Sequence, residues 1–591
     1  MKKNTTYFAV LLSALFFALS VEIQAQSCPW AKKASGTNED FGVALATDAS
    51  GNVYYLGNFY SQSVAFGATV LQNQPYQAFN YGTEMFLVKY DSCGTLKWAK
   101  RAGGNSDVFG RGIACDASGN IYVTGTFKAT TATFGTLTLN NSANYDVFLT
   151  KYDPNGTALW TTGGFGNQQD KAYAITVDGA GDVYISGHFS STTLTFGTNS
   201  VNNGTDDGYT FDAFIAKFDN AGTNLWVRAN TSHSSSSDHV YSYGVSSDAA
   251  GNVYACGSFG SDYIRFGNDS IAVSNPSDRD IYLVKYDATG NVQWLRTGGG
   301  SSTDAAYAIA TDASGNSYIT GYIGGQATAD FSPLALVNNS ANRAIFLTKY
   351  DMNGTPQWAN TAQGDFYSDN VSNCVTLDAN GDPYIIGAYS SDSLNVGPVT
   401  LFNASLMNGS GGGDYFYDVF VAKYKSNGSL SWARTAGGDS TDLGNGIACG
   451  PNGALYITGE YFSPTLDFHG IPLTGVNSTG DAFIANNIAA TSLTPDICLV
   501  SSDSTSTNNV VYWDKTSFTT VKDFIVYREV STGTYKRIGV VPYDSLSQFI
   551  DTARTVVPAN GDPNVGTYRY KLQTGDTSDC LSPMSPYHNT V

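Results

Sequence analysis

From residue 40 onward the chain is a succession of short runs in which apolar and polar residues alternate, each closed by a turn containing Gly. In "IYVTGTF" from Ile121 every second residue is apolar or small, the period of a β-strand whose two faces meet different surroundings. The runs recur in a fixed order. The pattern Asp-x-x-Gly-Asn-x-Tyr-x-x-Gly returns as "DASGNVYYLGNF" from Asp48, "DASGNIYVTGTF" from Asp116, "DGAGDVYISGHF" from Asp178, "DAAGNVYACGSF" from Asp248, "DASGNSYITGYI" from Asp312, "DANGDPYIIGAY" from Asp378 and "GPNGALYITGEY" from Gly450. A second pattern of the form "KYDxxGxxxW" follows each of the first six, as in "KYDSCGTLKW" from Lys89 and "KYDPNGTALW" from Lys151.

Each unit predicts four strands. The inner one alternates tiny with larger residues, as in Ala172-Tyr173-Ala174-Ile175, which suits a crowded central axis. An Asp-x-x-Gly-Asn turn leads to a second strand, predicted to be half-buried. A long polar loop precedes the third strand, and a further Gly turn leads into the Trp strand. Four antiparallel strands repeated around an axis make the blade of a propeller, and seven repeats predict seven blades. The seventh repeat has no Trp strand, because "DAFIANNIAAT" from Asp481 runs out without one. The stretch "CPWAKKA" from Cys28 supplies it: Trp30 is followed by "AKKASG" as Trp98 is by "AKRAGG". The expected fold is all-β, a seven-bladed β-propeller over residues 26–490 closed by an N-terminal outer strand, since an open ring would leave unpaired edges.

From Asp496 the repeat stops. "NNVVYWD", "DFIVYREV", "YKRIGVV" and "TYRYKLQTGD" read as short strands between turns, predicting a C-terminal immunoglobulin-like β-sandwich over residues 491–591. The repeat cores from Cys28 to about Ala490 resemble the bacterial secreted seven-bladed β-propeller repeat family, and Trp513 with the Tyr568-Arg569-Tyr570 run resembles a fibronectin type III module. The first resemblance implies the propeller fold and an exported location, and says little about a ligand.

The start of the chain supports export. Lys2 and Lys3 precede the apolar run "YFAVLLSALFFAL", and Ile23-Gln24-Ala25 offers a small residue for cleavage, so residues 1–25 are expected to be a signal peptide. No second long apolar run follows, so no membrane span is expected, and the protein is placed outside the cell, free or attached at its surface. Exported propellers of this kind often continue into a C-terminal sorting domain. None is visible here, which suggests either a longer protein or another export route. Composition agrees with a turn-rich β protein, with Gly 63, Tyr 38, Phe 32 and only 14% charged residues. A net charge of -19, one unit more negative without Lys2, Lys3 and Glu22, argues against nucleic acid as a partner.

One acidic series opens the inner strands: Asp40, Asp107, Asp170, Asp238, Asp304, Asp369 and Asp442. A second precedes the third strands, Glu84, Asp146, Asp212, Asp280, Asp418 and Asp481, with Ala344 the exception. Both fall on the same side of the propeller, where concentric rings of hard oxygens would suit calcium or a cationic ligand. The competing and favoured reading is structural, each Asp accepting backbone N–H groups at a strand start and recurring because the fold recurs. No other cofactor or metal is expected. The Asp-x-x-Gly turns lack EF-hand spacing and read as turns in which Gly takes the left-handed position.

Of 8 Cys, Cys498 and Cys580 bracket the sandwich as a disulfide candidate, a bond between Cys28 and Cys93 is a weaker one, and Cys115, Cys256, Cys374 and Cys449 read as small buried residues. The 5 His fall at unrelated positions, and no nucleophile elbow, zinc-protease motif or phosphate loop occurs. The reading favoured by the sequence is a non-enzymatic protein for adhesion or recognition of a protein or glycan at a surface. Loops around 199–211 and 403–417 are expected to individualise it. The rivals are a polysaccharide hydrolase or lyase with carboxylates at the funnel, for which Arg111 and Arg265 are the departures from symmetry, and a spacer that presents another domain. Ligand identity and oligomeric state are not legible.

Overall fold

The computed structural model describes residues 29–77, 80–141, 144–204, 209–231, 239–260, 262–272, 278–365, 369–404, 416–451, 453–468, 471–475, 479–486, 497–502, 509–513, 521–531, 534–542, 548–551, 569–576 and 588–589. Residues 1–28, with the expected signal peptide and Cys28, and Cys580 lie outside them, as do the side chain of Cys498 and most of the 403–417 loop.

The fold is all-β, and each repeat forms an antiparallel run of inner, second, third and fourth strands. In the second repeat these are Val108–Cys115, Ile121–Phe127, Asp146–Tyr152 and Ala158–Gly164. In the last repeat the fourth place is taken by Ala31–Ala34, which pairs antiparallel with Asp481–Asn486, Lys33 opposite Phe483. Trp30 and Asn486 fasten this pair, with Trp30 N donating to Asn486 Oδ1 at 2.8 Å and Asn486 N to Trp30 O at 2.9 Å. Each inner strand packs beside that of the next repeat, and Asp442–Cys449 of the last lies beside Asp40–Thr47 of the first. Across that junction Asn445 Nδ2 donates to Gly42 O at 2.9 Å and Tyr456 OH to Gly51 O at 3.2 Å.

Two local expectations change. The second strands are buried on both faces, residue after residue in Val53–Phe59, Ile121–Phe127 and Val183–Phe189. Their alternation separates two buried faces, because each sheet is covered by a neighbour on either side. Polar positions are satisfied internally, as where Thr124 Oγ1 donates to Phe148 O at 2.7 Å. The polar loop before the third strand contains a hairpin. In the third repeat this is Thr193–Phe196 with Asn199–Asn202, Leu194 and Phe196 buried and the alternate positions mostly exposed. It bonds to the fourth strand of the preceding repeat, Phe165 N and Thr195 N each donating to the other's carbonyl at 3.0 Å.

The Trp strands interlock neighbouring repeats. Trp160 Nε1 donates to Asn220 O of the next repeat at 3.1 Å, and its ring lies against Gly222. Trp30, Trp98, Trp226, Trp294 and Trp358 do the same with Ser92, Pro154, Ala288, Met352 and Ser426. Gly222 has φ +85, and a Cβ there would stand 2.9 Å from the Trp160 ring. Gly381 has a similar φ of +75 with nothing within 4 Å. Gly222→Ala should therefore lose more stability than Gly381→Ala, whose cost is the backbone strain alone, about 1–2 kcal/mol. Thermal unfolding of the two variants measures the difference, and equal losses would show that the Trp contact contributes nothing.

Toward the C-terminus one sheet joins Ile497–Ser502, Asn509–Trp513 and Gln548–Ile550, and another joins Thr534–Pro542, Val521–Ser531, Arg569–Asp576 and His588–Asn589. Val511, Trp513, Phe524, Val526, Val541, Tyr570 and Leu572 form their shared core. Arg528 is fully buried with Nη1 2.7 Å from Asp551 Oδ2, which also accepts the Tyr570 hydroxyl at 2.8 Å.

Candidate functional site

The acidic series at the inner strands divides in two. Asp40, Asp170 and Asp442 are the first residues of their strands, opposite Phe59, Phe189 and Tyr461. Asp304, just before Ala305, keeps the equivalent place. In the second, fourth and sixth repeats that place belongs to Val108, Val240 and Asn370, opposite Phe127, Phe259 and Tyr389. Asp107 and Asp369 stand one residue earlier, and such an offset turns a side chain to the other face of a strand. Asp238 lies outside the described residues.

The environments follow the register. Asp40, Asp170 and Asp442 are buried, each accepting a hydroxyl from Ser61, Ser191 or Ser463 at 2.7–2.9 Å and that Ser's backbone N–H at 3.3 Å. Asp304 accepts Gly300 N at 2.7 Å and Gly324 N at 2.8 Å. Burial raises all four carboxyls to about 7 despite these bonds. Asp107 and Asp369 are only half-buried and accept the hydroxyls of Tyr145 and Tyr417 at 3.1 and 3.0 Å.

The third-strand acids face this pattern. Asp481 adds to the upward shift of Asp40, Asp146 to that of Asp170 and Asp280 to that of Asp304, while Asp442 does so for Asp418, which burial lifts to about 8. Four junctions between repeats thus hold two neighbouring carboxyls, with a Gly lodged against them: Gly166 donates N–H to Asp146 and packs on Asp170. The remaining junctions are filled otherwise. Glu84 is bridged by Arg101 at 2.7 Å, Asp212 accepts Asn230 Nδ2 at 2.6 Å, and Ala344 carries no charge. Among the described residues no three His, Cys, Asp or Glu side chains cluster to hold a metal.

A second ring is asymmetric. The register of each inner strand shifts by one residue, between Gly42 and Ala44 and at the same place in the other six. The extra residue of such a bulge is re-aimed away from the ladder. In chain order it is Val43, Arg111, Tyr173, Tyr243, Tyr307, Asn373 and Asn445, and all line one central cavity of ≈ 470 Å³. Arg111, singled out from the sequence, belongs to this ring. Arg265 does not, lying in the rim hairpin Tyr263–Phe266 opposite Ser270. Asn373 and Asn445 donate to the carbonyls of Gly444 and Gly42 at 2.9 Å, so one side of the cavity is fastened while the other carries Arg and Tyr.

Two buried groups were missed in the sequence because they occupy a repeat position filled elsewhere by Asn58, Thr126, Ser258, Tyr322 and Ala388. Glu460, half-buried as a residue but with Oε2 shut off from solvent, is raised to about 7 by burial and by Glu39, and that oxygen has no hydrogen-bond partner among the described residues. His188 is held neutral by burial among Tyr173, Phe211 and Tyr241, with Lys171 adding to the effect. Of the expected binding loops, 199–211 brings Phe211 against His188, with ring centres 4.8 Å apart, and leaves Tyr209 81% exposed.

Residues 97–126 match the family described as "Beta-propeller repeat". The chain is 26% identical over 462 residues to an uncharacterized WD repeat-containing protein of Acanthamoeba polyphaga mimivirus, covering 67% of this chain and 32% of that protein. It is 29% identical over 175 residues to the regulatory protein FlaEY of Caulobacter vibrioides, covering 29% of this chain and 17% of that one. The chain thus spans about a third or less of these curated relatives. A rhamnogalacturonan lyase of Bacillus licheniformis is similar among solved structures at 10% identity, covering 82% of this chain and 90% of that one with a TM-score of 0.20, and carries no argument. The sequence matches establish propeller repeats in this chain.

Proposed function

We propose that the chain is an exported, seven-bladed β-propeller closed by its N-terminal strand, followed by a fibronectin type III-like sandwich, and that it recognises a protein or glycan at a surface without chemical turnover. The observation that carries the recognition reading is the uneven ring of bulge residues around the ≈ 470 Å³ cavity. Symmetry alone would repeat one residue type there, and the run of Arg111, Tyr173, Tyr243 and Tyr307 is what a binding mouth needs. Glycan-array binding with and without calcium tests the reading. Tyr243→Ala should weaken whatever binds by about tenfold or more, as loss of a central aromatic contact does. Absence of any glycan or protein partner would leave the spacer reading.

Glu460 favours a second reading. A buried carboxyl near 7 with an unpartnered oxygen has the character of a general acid, as a polysaccharide hydrolase or lyase requires. Release of reducing ends or unsaturated sugars that is abolished by Glu460→Gln would establish it in place of passive binding.

A further inference from the structure

Some lysines and arginines elsewhere in the repeats stand beside carboxylates, Lys97 with Asp91 at 2.7 Å, Lys217 with Asp182 at 2.8 Å, Lys423 with Asp378 at 2.9 Å and Arg101 with Glu84 at 2.7 Å, while Arg228, Arg296, Lys285 and Lys349 lie over rings and donate to backbone carbonyls. Arg111, Lys171 and Arg279 depart from the ion-paired set. Among the described residues they have no ion-pair partner and lie over aromatic rings instead. Arg111 is 5.6 Å from the centre of Tyr173, Arg279 is 4.8 Å from that of Tyr241, and Lys171 is 5.5 Å from that of Tyr145. Arg343 lies 4.4 Å over Tyr322 with its side chain 43% exposed, and its Nε is 3.5 Å from Asp369.

These groups form one connected run. Tyr173 meets Tyr243 at 5.8 Å, Tyr241 stacks on Tyr243 at 5.8 Å, Tyr243 meets Tyr307 at 5.2 Å, and Tyr307 meets Tyr322 at 5.6 Å. The run passes from the second repeat to the fifth along one side of the central cavity. At its far end Arg279, Tyr322 and Arg343 line a second hollow of ≈ 510 Å³. A chain of net charge -19 thus gathers Arg111, Lys171, Arg279 and Arg343 along this run, all over aromatic rings, with Asp369 the one carboxylate in ion-pair reach of them among the described residues.

We propose that this crescent binds a carboxylated oligosaccharide, a chain of uronate-bearing sugars. Arg111, Arg279 and Arg343 take the carboxylates as bidentate forks, and Tyr243 and Tyr307 receive sugar ring faces between them. The inference rests on the recognition reading and gives it a ligand class. Charge density chooses among anions. Nucleic acid, with a charge about every 1.7 Å, is repelled by the rest of the surface, whereas uronate chains space their charges by whole sugar rings. An acidic peptide offers carboxylates but no flat face for the half-buried Tyr rings.

The test is titration of the full chain with oligogalacturonate, oligoalginate and hyaluronan fragments, each beside its methyl-esterified, uncharged form. At least one acid form should bind, its ester at least about tenfold more weakly, and Arg111→Gln and Arg279→Gln should each reduce affinity about 10- to 100-fold, as expected for a lost charge-assisted bond. Lys97→Gln, at a paired outer position, should leave binding unchanged, and melting curves matching the parent exclude misfolding as the cause of any loss. Equal binding of acid and ester, or no acid form bound at about 1 mM, overturns the proposal. If a neutral glycan binds in its place, recognition stands and only the ligand class fails. If poly-glutamate binds with the same Arg dependence and the sugars do not, the crescent is a peptide site and the glycan assignment is overturned.

Discussion

A chain shortened to begin at Asn38 should fail to give a cooperatively melting product. The strand Asp481–Asn486, with Phe483 and Ile484 fully buried, would become a bare edge open to pairing with other chains. Trp30 carries most of the loss. It is 7% exposed, lies 5.6 Å from Tyr90 and 6.1 Å from Tyr456 between ring centres, and donates its indole N–H to Ser92 O at 3.0 Å. Trp30 therefore touches the first and last repeats at once. Trp30→Ala in the intact chain should cost about 3–5 kcal/mol, the usual figure for emptying a large aromatic site. Asn486→Ala should cost less, about 1–3 kcal/mol, because it leaves Trp30 N without its acceptor. Melting curves and size-exclusion profiles read both. A truncated chain that melts like the parent would mean that residues 31–34 do not close the ring.

How far this was readable depends on what sets each feature. The repeat register was legible because every Gly and Trp in it answers a local need, such as Gly222 at φ +85 beneath Trp160. The borrowed strand was legible for the same reason, since the Trp30 stretch copies the one at Trp98. What escaped is set by the packing of one sheet on the next. The second strands alternate like surface strands, yet both faces are covered. The seven inner-strand acids look equivalent when aligned on Asp. Aligned on the following small residue they divide, with Asp40 two before Gly42 and Asp107 three before Gly110. That spacing was in view, and only pairing against the second strand gives it meaning. The bulge residues share this history, because Arg111 stands out as a lone charge in the sequence while its place beside Tyr173 comes from curvature around the axis. Glu460 and His188 are single departures at an otherwise mixed position, which a search for repetition passes over.

The divided acids carry the other large expected effect: the protein should become more stable as pH falls from about 8 to about 5. Asp40, Asp170, Asp304 and Asp442 ionise near 3.8 as unperturbed carboxyls and near 7 in the fold, and Asp418 near 8. The native state thus holds these protons more tightly than the unfolded chain, so their stabilisation is fully present below the unfolded value and is lost as pH rises through 7. At about 1.36 kcal/mol per pH unit, a junction with one such proton changes by at most ~4 kcal/mol across the window. The limit on the acid side comes from Asp48, Asp91 and Asp378, whose carboxyls are held below the usual value by bonds within their own turns and by Lys89, Lys97 and Lys423. Their contribution is lost as pH drops below about 4, placing the optimum near pH 5. Asp418→Asn should raise the melting temperature at pH 8 and leave it nearly unchanged at pH 5, since the neutral side chain imitates the protonated acid. Calcium separates the two roles considered for these acids. If millimolar calcium raises the pH 8 melting temperature of the parent but not of Asp418→Asn, a cation replaces the proton at that junction. If melting is highest at pH 8 without calcium, neither a proton nor a cation is held there, and the four junctions are ionised pairs that the fold tolerates.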